Sequence, residues 1–275
     1  MRSRHRPNAR PVLAFSLAGL YFFAATVSSQ ETPGFGGPDS VERVLETDRT
    51  PKPSFIETEV FAPLEAWQSG LEEGHGFSLG MDYSAVSVAA SESLEGADDS
   101  ASSGMFRLYG RWNLTGDGAA SSGGLVYKFE HRHAYGDDAP SGFYLGNVGY
   151  AGLTAPPFSD QEFRTTNLYW RQSLNNGRTT ITAGFLDATD FLDVYALASP
   201  WLHFMNLTFS TGSAAIDLPN DASLGAAAGH IFENNVYVIG SVVDRNGDPT
   251  DISEGFDTFF GDNAVSYTHL RAHET

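Results

Sequence analysis

The chain has 275 residues, 41% of them hydrophobic and 13% aromatic, with 29 glycines and no cysteine. That is ample for one all-β domain of ordinary size, and it excludes disulfides, so an exported form would be held by backbone hydrogen bonding alone. A formal net charge of −18 gives no bulk attraction for phosphates and excludes nucleic acid as a partner.

In chain order, MRSRHRPNAR carries four arginines, PVLAFSLAGLYFFAATV is an apolar run, and the small residues Ser28 and Ser29 precede Gln30. This is the three-part layout of a secretory signal peptide occupying residues 1–30. The competing reading, a membrane-spanning helix, is at the short limit for a span and is followed by a polar stretch rather than a basic stop-transfer cluster. With the leader removed, all 34 acidic residues face twelve basic ones, a net charge of −22.

Residues 31–75 read as a mobile leader and a short helix. Positions 31–58 are rich in Pro, Gly, Glu and Thr without periodicity. Val60, Leu64, Trp67 and Leu71 then fall on one face of a helix ending at Gly74.

From Gly76 to Ala264 the punctuation changes to strands of about ten residues separated by Gly, Ser, Asp and Asn loops. Phe77, Leu79, Met81 and Tyr83 alternate in the first. In FRLYGRWNL, residues 106–114, Arg107, Tyr109, Arg111 and Asn113 share one face, and Phe106, Leu108, Gly110, Trp112 and Leu114 share the other. LVYKFEHRHAY sets Lys128, Glu130 and Arg132 against Leu125, Tyr127, Phe129, His131 and His133. Further strands are expected at TTNLYWRQSL, TTITAGFL, LGAAAGHIF and NVYVIGSVVD, with no helical period between strands.

Pairing the second and third strands across TGDGAASSGG keeps both faces pure when Leu114 lies beside Leu125, Trp112 beside Tyr127, and Gly110 beside Phe129. The polar partners are then Arg111 with Lys128, Tyr109 with Glu130, and Arg107 with Arg132. Like charges opposite one another are unfavourable, so this face needs water and nearby acids. Such a sheet meets lipid on one side and a water-filled lumen on the other: an all-β, antiparallel transmembrane β-barrel with a short N-terminal helix. Trp112, Tyr127 and Tyr83 are candidates for its interfacial girdles.

The last eleven residues, VSYTHLRAHET, break the preceding composition and resemble the in-frame translation of a transposase sequencing adapter. Residues 265–275 are expected to be such an artefact, with the natural chain continuing past Asn263. A genuine basic tail with a histidine pair for metal is the alternative.

YAGLTAPPFSDQEFRTTNLYWRQSL, AGFLDATDFLDVYALASPWLHFMN, LTFSTGS and VYVIGSVVDRNGDPTD resemble the carbohydrate-selective outer-membrane porin family, OprB-like, and the likeness extends from about Leu64 to Asp262. The resemblance implies a barrel of sixteen strands that passes sugars passively across a Gram-negative outer membrane, as a monomer or homotrimer. Residues 76–264 would be the N-terminal part of that barrel. It implies no enzyme activity and no cofactor. Outer-membrane lipid and permeant sugars are the expected partners.

A sugar channel selects by width, by polar groups that replace water around hydroxyls, and by aromatic faces. The inward candidates are Arg107, Tyr109, Arg111, Lys128, Glu130, Arg132, Tyr169 and Arg171. A structural ion-pair ladder stiffening the wall is the competing role. Asp187, Asp190 and Asp193, spaced by three, would form an acidic loop narrowing the pore opposite the basic face. Their alternatives are helix capping by Asp190, an acidic loop folded against the arginine wall, and a carboxylate pair for glycoside hydrolysis. His131 and His133 read as rim residues rather than a metal pair, and residues 244–251 as a turn rather than a calcium loop, because the glycine is misplaced. A secreted β-sandwich that binds or hydrolyses polysaccharide, and a plugged barrel with the 59–73 helix as plug, are the rival functions.

Overall fold

A computed structural model describes residues 40–50, 61–118, 120–150, 154–191, 205–206, 222–233, 236–259 and 264–272. The expected signal peptide and Asp193 lie outside the described residues. Eight strands form one antiparallel sheet in which spatial order follows chain order, β1 to β8. They are β1 (Phe77–Ala89), β2 (Ser100–Gly118), β3 (Ser121–Ala134), β4 (Glu162–Leu174), β5 (Thr179–Leu186), β6 (Ser223–Ile231), β7 (Val236–Asp244) and β8 (Ala264–Ala272). Among the described residues β1 and β8 are the two edges. Two to four residues separate β2 from β3, β4 from β5 and β6 from β7, and the alternate connections are longer, so the sheet has one short-turn end and one loop end.

Period-two alternation builds this wall, and its polarity is the reverse of a soluble sheet. Arg107, Tyr109, Lys128, Glu130 and Tyr169 are buried on the inner face, while Phe106, Trp112, Leu114 and Ile181 are exposed on the outer one. A sandwich would bury the second row and leave the first in water. The polysaccharide-binding sandwich is therefore not what this chain forms.

The register of β2 on β3 differs from the sequence expectation by two residues. Trp112 pairs with Leu125, Gly110 with Tyr127, Leu108 with Phe129, Tyr109 with Lys128, and Arg107 with Glu130. A slip of two preserves both faces, so face purity could not distinguish the two pairings. Irregularities between Asn113 and Gly118 shorten the expected loop to residues 119–120 and set the register. The observed pairing puts Glu130 opposite Arg107 instead of a second arginine, which removes the expected like-charge contact. Glycine makes room across it: a Cβ on Gly110 would stand 2.2 Å from the Tyr127 hydroxyl, which donates to the main-chain oxygen of Ser78 at 2.9 Å.

Part of the expected leader is ordered. Helix α1 (Val41–Arg49) follows Ser40, with Glu42 in its first turn and Arg49 in its last, each favourable to the helix dipole. Nine residues make a marginal helix in isolation, so packing must hold it. Val41 and Leu45 are buried in a cluster with Tyr109, Val126 and Tyr169, and each contributes about 1.5–3 kcal/mol if fully removed from water. The sequence signal was one turn, Val41, Val44 and Leu45, too short to register as a period.

Helix α2 (Ala62–His75) ends one residue later than expected, at His75, and is capped by Gly76 in the left-handed region. Its packing face is not the one expected: Trp67 is 52% exposed, whereas Leu64, Gln68 and Leu71 turn toward the sheet. Gln68 Nε2 donates to the main-chain oxygen of Leu79 at 2.9 Å, covering part of the edge strand β1. Two short helices, α3 (Pro140–Gly146) and α4 (Glu254–Phe259), sit in long connections where no helical period was expected.

Residues 264–272, nearly all within the segment set apart as adapter-derived, pair along the edge of β7. Main-chain pairing draws on N–H and C=O groups common to every residue, so an open edge accepts an extended segment whatever its side chains.

Candidate functional site

The inner face of β1 to β5 carries a band of charge. Arg107 holds Asp82 of β1 in a two-pronged contact, with Nε–Oδ1 at 2.9 Å and Nη2–Oδ2 at 2.5 Å. Arg132 donates twice to Glu130 Oε2, at 2.9 and 2.6 Å, and Glu130 is only 2% exposed. Lys128 Nζ lies 3.5 Å from Asp190 Oδ2. Arg171 Nη1 donates to Glu42 Oε1 of α1 at 2.6 Å, and the Tyr109 hydroxyl donates to Asp48 Oδ2 of the same helix at 2.5 Å. Buried charges persist only when paired and hydrogen-bonded, which is what this band achieves.

The predicted residues of β2, β3 and β4 are therefore together on the inner face, most of them already engaged in ion pairs or covered by α1. Arg107, Lys128, Glu130, Arg132 and Arg171 take the geometry of the ladder weighed against direct sugar contact. Arg111 differs: it is half-buried and has no hydrogen bond or ion pair among the described residues.

Sequence reasoning missed Arg164, Asp82, Asn167, and Glu42 and Asp48 of α1. Arg164 sits at an even position of β4, on the side opposite Tyr169 and Arg171 by strict alternation. A bulge reverses it: Lys128 pairs with Asn167 but Phe129 with Thr165, which leaves Thr166 extra and sets Arg164 opposite Glu130 on the inner face. Thr166 Oγ1 occupies the kink by donating to the Lys128 oxygen at 3.1 Å. Only the short Thr165–Thr166–Asn167 run hinted at this break. Glu42 and Asp48 were hidden in a segment with no apparent period.

The start of the β5–β6 connection turns back onto the same face as a 3₁₀ turn, Ala188–Asp190. Its cap is Asp187, not Asp190: Asp187 Oδ1 accepts from Thr189 N at 2.9 Å and from the Thr189 hydroxyl at 2.6 Å. Asn167 ties the turn down, accepting from Asp187 N at 3.1 Å and donating to Asp190 Oδ2 at 3.0 Å. Burial, then the neighbouring Asp190 charge, pushes the Asp187 carboxyl up to about 7.

His131 and His133 lie on the outer face at the loop end of β3, where the Tyr83 hydroxyl and His133 Nε2 are 2.9 Å apart. In residues 244–251 the carboxylates close turns. Asp248 accepts from both the hydroxyl and the amide of Thr250, which hold it below the usual carboxylate range. Asp244 Oδ1 accepts from Asn246 N at 3.0 Å. Among the described residues no cluster of three His, Asp or Glu side chains has metal-binding geometry.

The outer row complements this inner band. Phe77 stacks on Tyr127 at 5.6 Å, Tyr127 on Phe129 at 6.0 Å, and Phe129 on Phe163 at 5.9 Å, a continuous aromatic ribbon facing outward across β1, β3 and β4. No helix among the described residues is long and apolar enough to cross a membrane, so any crossing is made by strands.

No curated protein and no solved structure matches the chain. The family model described as carbohydrate-selective porin, OprB family, matches residues 64–271, from helix α2 into strand β8. An alternating wall with charge inside and aromatics outside left the cargo open, and that match decides it: the chain belongs to the OprB family of carbohydrate-selective porins.

Proposed function

We propose that the inner face of β1 to β5 is the wall of a pore through which sugars diffuse. The family is one of outer-membrane channels, not enzymes, and its cargo is carbohydrate. The observation carrying this reading is the reversed polarity of the sheet: charged residues within, aromatic and aliphatic residues without. The short-turn end faces the periplasm and the long loops face outward, as in other outer-membrane barrels. Direct sugar contact falls to the half-buried Arg111, while Arg107, Tyr109, Lys128, Glu130, Arg132, Tyr169 and Arg171 stiffen the wall and set its field. Asp187 and Asp190 do not face the basic wall from across the pore, as the sequence suggested; they fold onto it, Asp190 meeting Lys128 and Asn167, and narrow the passage from that side. The sheet is the N-terminal half of a sixteen-stranded barrel, acting as a monomer or homotrimer in outer-membrane lipid after export by a cleaved signal peptide.

The test is swelling of proteoliposomes carrying the complete sixteen-stranded barrel that contains this sheet, in isotonic glucose, with an impermeant polysaccharide as reference. Swelling in glucose alone is expected. No swelling from properly folded protein refutes sugar passage and returns the plugged barrel, with α1 on its inner face as the plug.

A further inference from the structure

Between β2, β3 and β4, toward the short-turn end, the inner face opens into a shallow recess of about 80 Å³ lined by Arg111, Asn113, Ser122, Gly124, Arg171 and Ser173. That volume is well below the roughly 300–1,000 Å³ of sites that enclose a whole small molecule, so it suits the charged edge of one sugar standing in the pore rather than an enclosed ring. Gly124 pairs with Asn113, and a Cβ there would stand 2.3 Å from the main-chain oxygen of Trp112, so glycine lets β2 and β3 approach closely beneath the recess.

The charges around it do not balance. Those acting on Arg111 are Glu42, Glu72, Arg171 and Arg49. Glu42 is held by Arg171 and Glu72 by Arg49, so both acids already have their guanidinium. Arg111 is left with an unused planar fork, although Arg107, Lys128, Arg132 and Arg171 on the same face each have a carboxylate. A guanidinium fork matches a carboxylate two-pronged, and the neutral amide and hydroxyls of Asn113, Ser122 and Ser173 match sugar hydroxyls. In a chain this acidic overall, a surplus cation beside neutral hydrogen-bonding groups marks a place where an anion is drawn in against the general field.

We propose that this recess is a subsite for acidic monosaccharides, with a hexuronate carboxylate on Arg111 and the ring hydroxyls on Asn113, Ser122 and Ser173. The proposal rests on the sugar-channel reading and names a preferred class within it.

The experiment uses the full chain refolded in detergent micelles, titrated calorimetrically with glucuronate and with glucose at fixed salt. Glucuronate is expected to bind about 10- to 100-fold more tightly, the usual worth of hydrogen bonds to a charged group. Arg111→Gln should bring the two affinities together without weakening glucose, and Arg111→Lys should restore part of the difference. Ser173→Asp is the independent variant, since it keeps Arg111 and supplies the missing carboxylate from the protein. It should abolish the preference equally. Equal affinities in the unmodified chain, or a preference that survives both Arg111→Gln and Ser173→Asp, overturn the proposal. Swelling assays on the complete barrel with the same two sugars separate the failures. Glucose passage without a glucuronate preference refutes only the subsite, and no passage of either refutes the channel and the subsite with it.

Discussion

Met81→Arg tests which solvent the outer face meets. Met81 is central in the outward row Phe77, Leu79, Met81, Tyr83 and Ala85, opposite Leu108, and is 42% exposed. In water an exposed methionine accepts arginine within about 0.5 kcal/mol, because such a site has no packing to lose. Against hydrocarbon the same change costs about 2–4 kcal/mol near the bilayer midplane, or about 30- to 700-fold in the folding equilibrium. Ala85 lies four residues further along β1, about 13 Å at strand rise, and Ala85→Arg should cost only about 0–1 kcal/mol at the interface. Urea titrations of folding into phospholipid vesicles, followed by tryptophan fluorescence, measure both variants. A Met81→Arg change below about 0.5 kcal/mol, or equal changes at the two positions, refutes a lipid-facing outer row.

Gly80→Val should destabilise the sheet by about 1–3 kcal/mol, because a Cβ there would stand 2.3 Å from Cε2 of Tyr109 and the ring must move. The same displacement breaks the Tyr109–Asp48 bond, so α1 should become sensitive to protease; an unchanged digestion pattern counts against the docking of α1 through Tyr109. Asp187 makes stability depend on pH. Its carboxyl is raised from an ordinary 3.8 to about 7, so the folded state takes up a proton that the unfolded state does not. That stabilising contribution is complete below about 4 and is lost as pH rises through about 7. The urea midpoint should fall between about pH 4 and 7, and Asp187→Asn should flatten the fall; equal slopes in the two proteins refute the assignment. Asp190→Asn removes the carboxylate facing Lys128 and should shift the reversal potential in a salt gradient toward anion selectivity. An unmoved potential takes Asp190 out of the pore field.

The sequence alone determined what each residue faces over most of the sheet. Alternation in 106–114 and 125–133 separates charge from aromatics, and strand periodicity needs only local spacing. It determined the strands themselves for the same reason, β5 to the residue. Three features depended on tertiary structure. The β2–β3 register is invisible to a face criterion because a two-residue slip leaves the faces unchanged, and the irregularities between Asn113 and Gly118 chose it. Arg164 turns inward only because β4 bulges at Thr166, and a bulge is specified by the partner strand as much as by its own residues. Helix α1 exists because Val41 and Leu45 find Tyr109, Val126 and Tyr169 to pack against, and because Arg171 and Tyr109 supply partners for Glu42 and Asp48. None of those contacts lies within ten residues along the chain. The same long-range pairing engages the acids around Arg111 and leaves it without an ion pair among the described residues, since which charge remains unmatched is a property of the assembled wall and not of any strand within it.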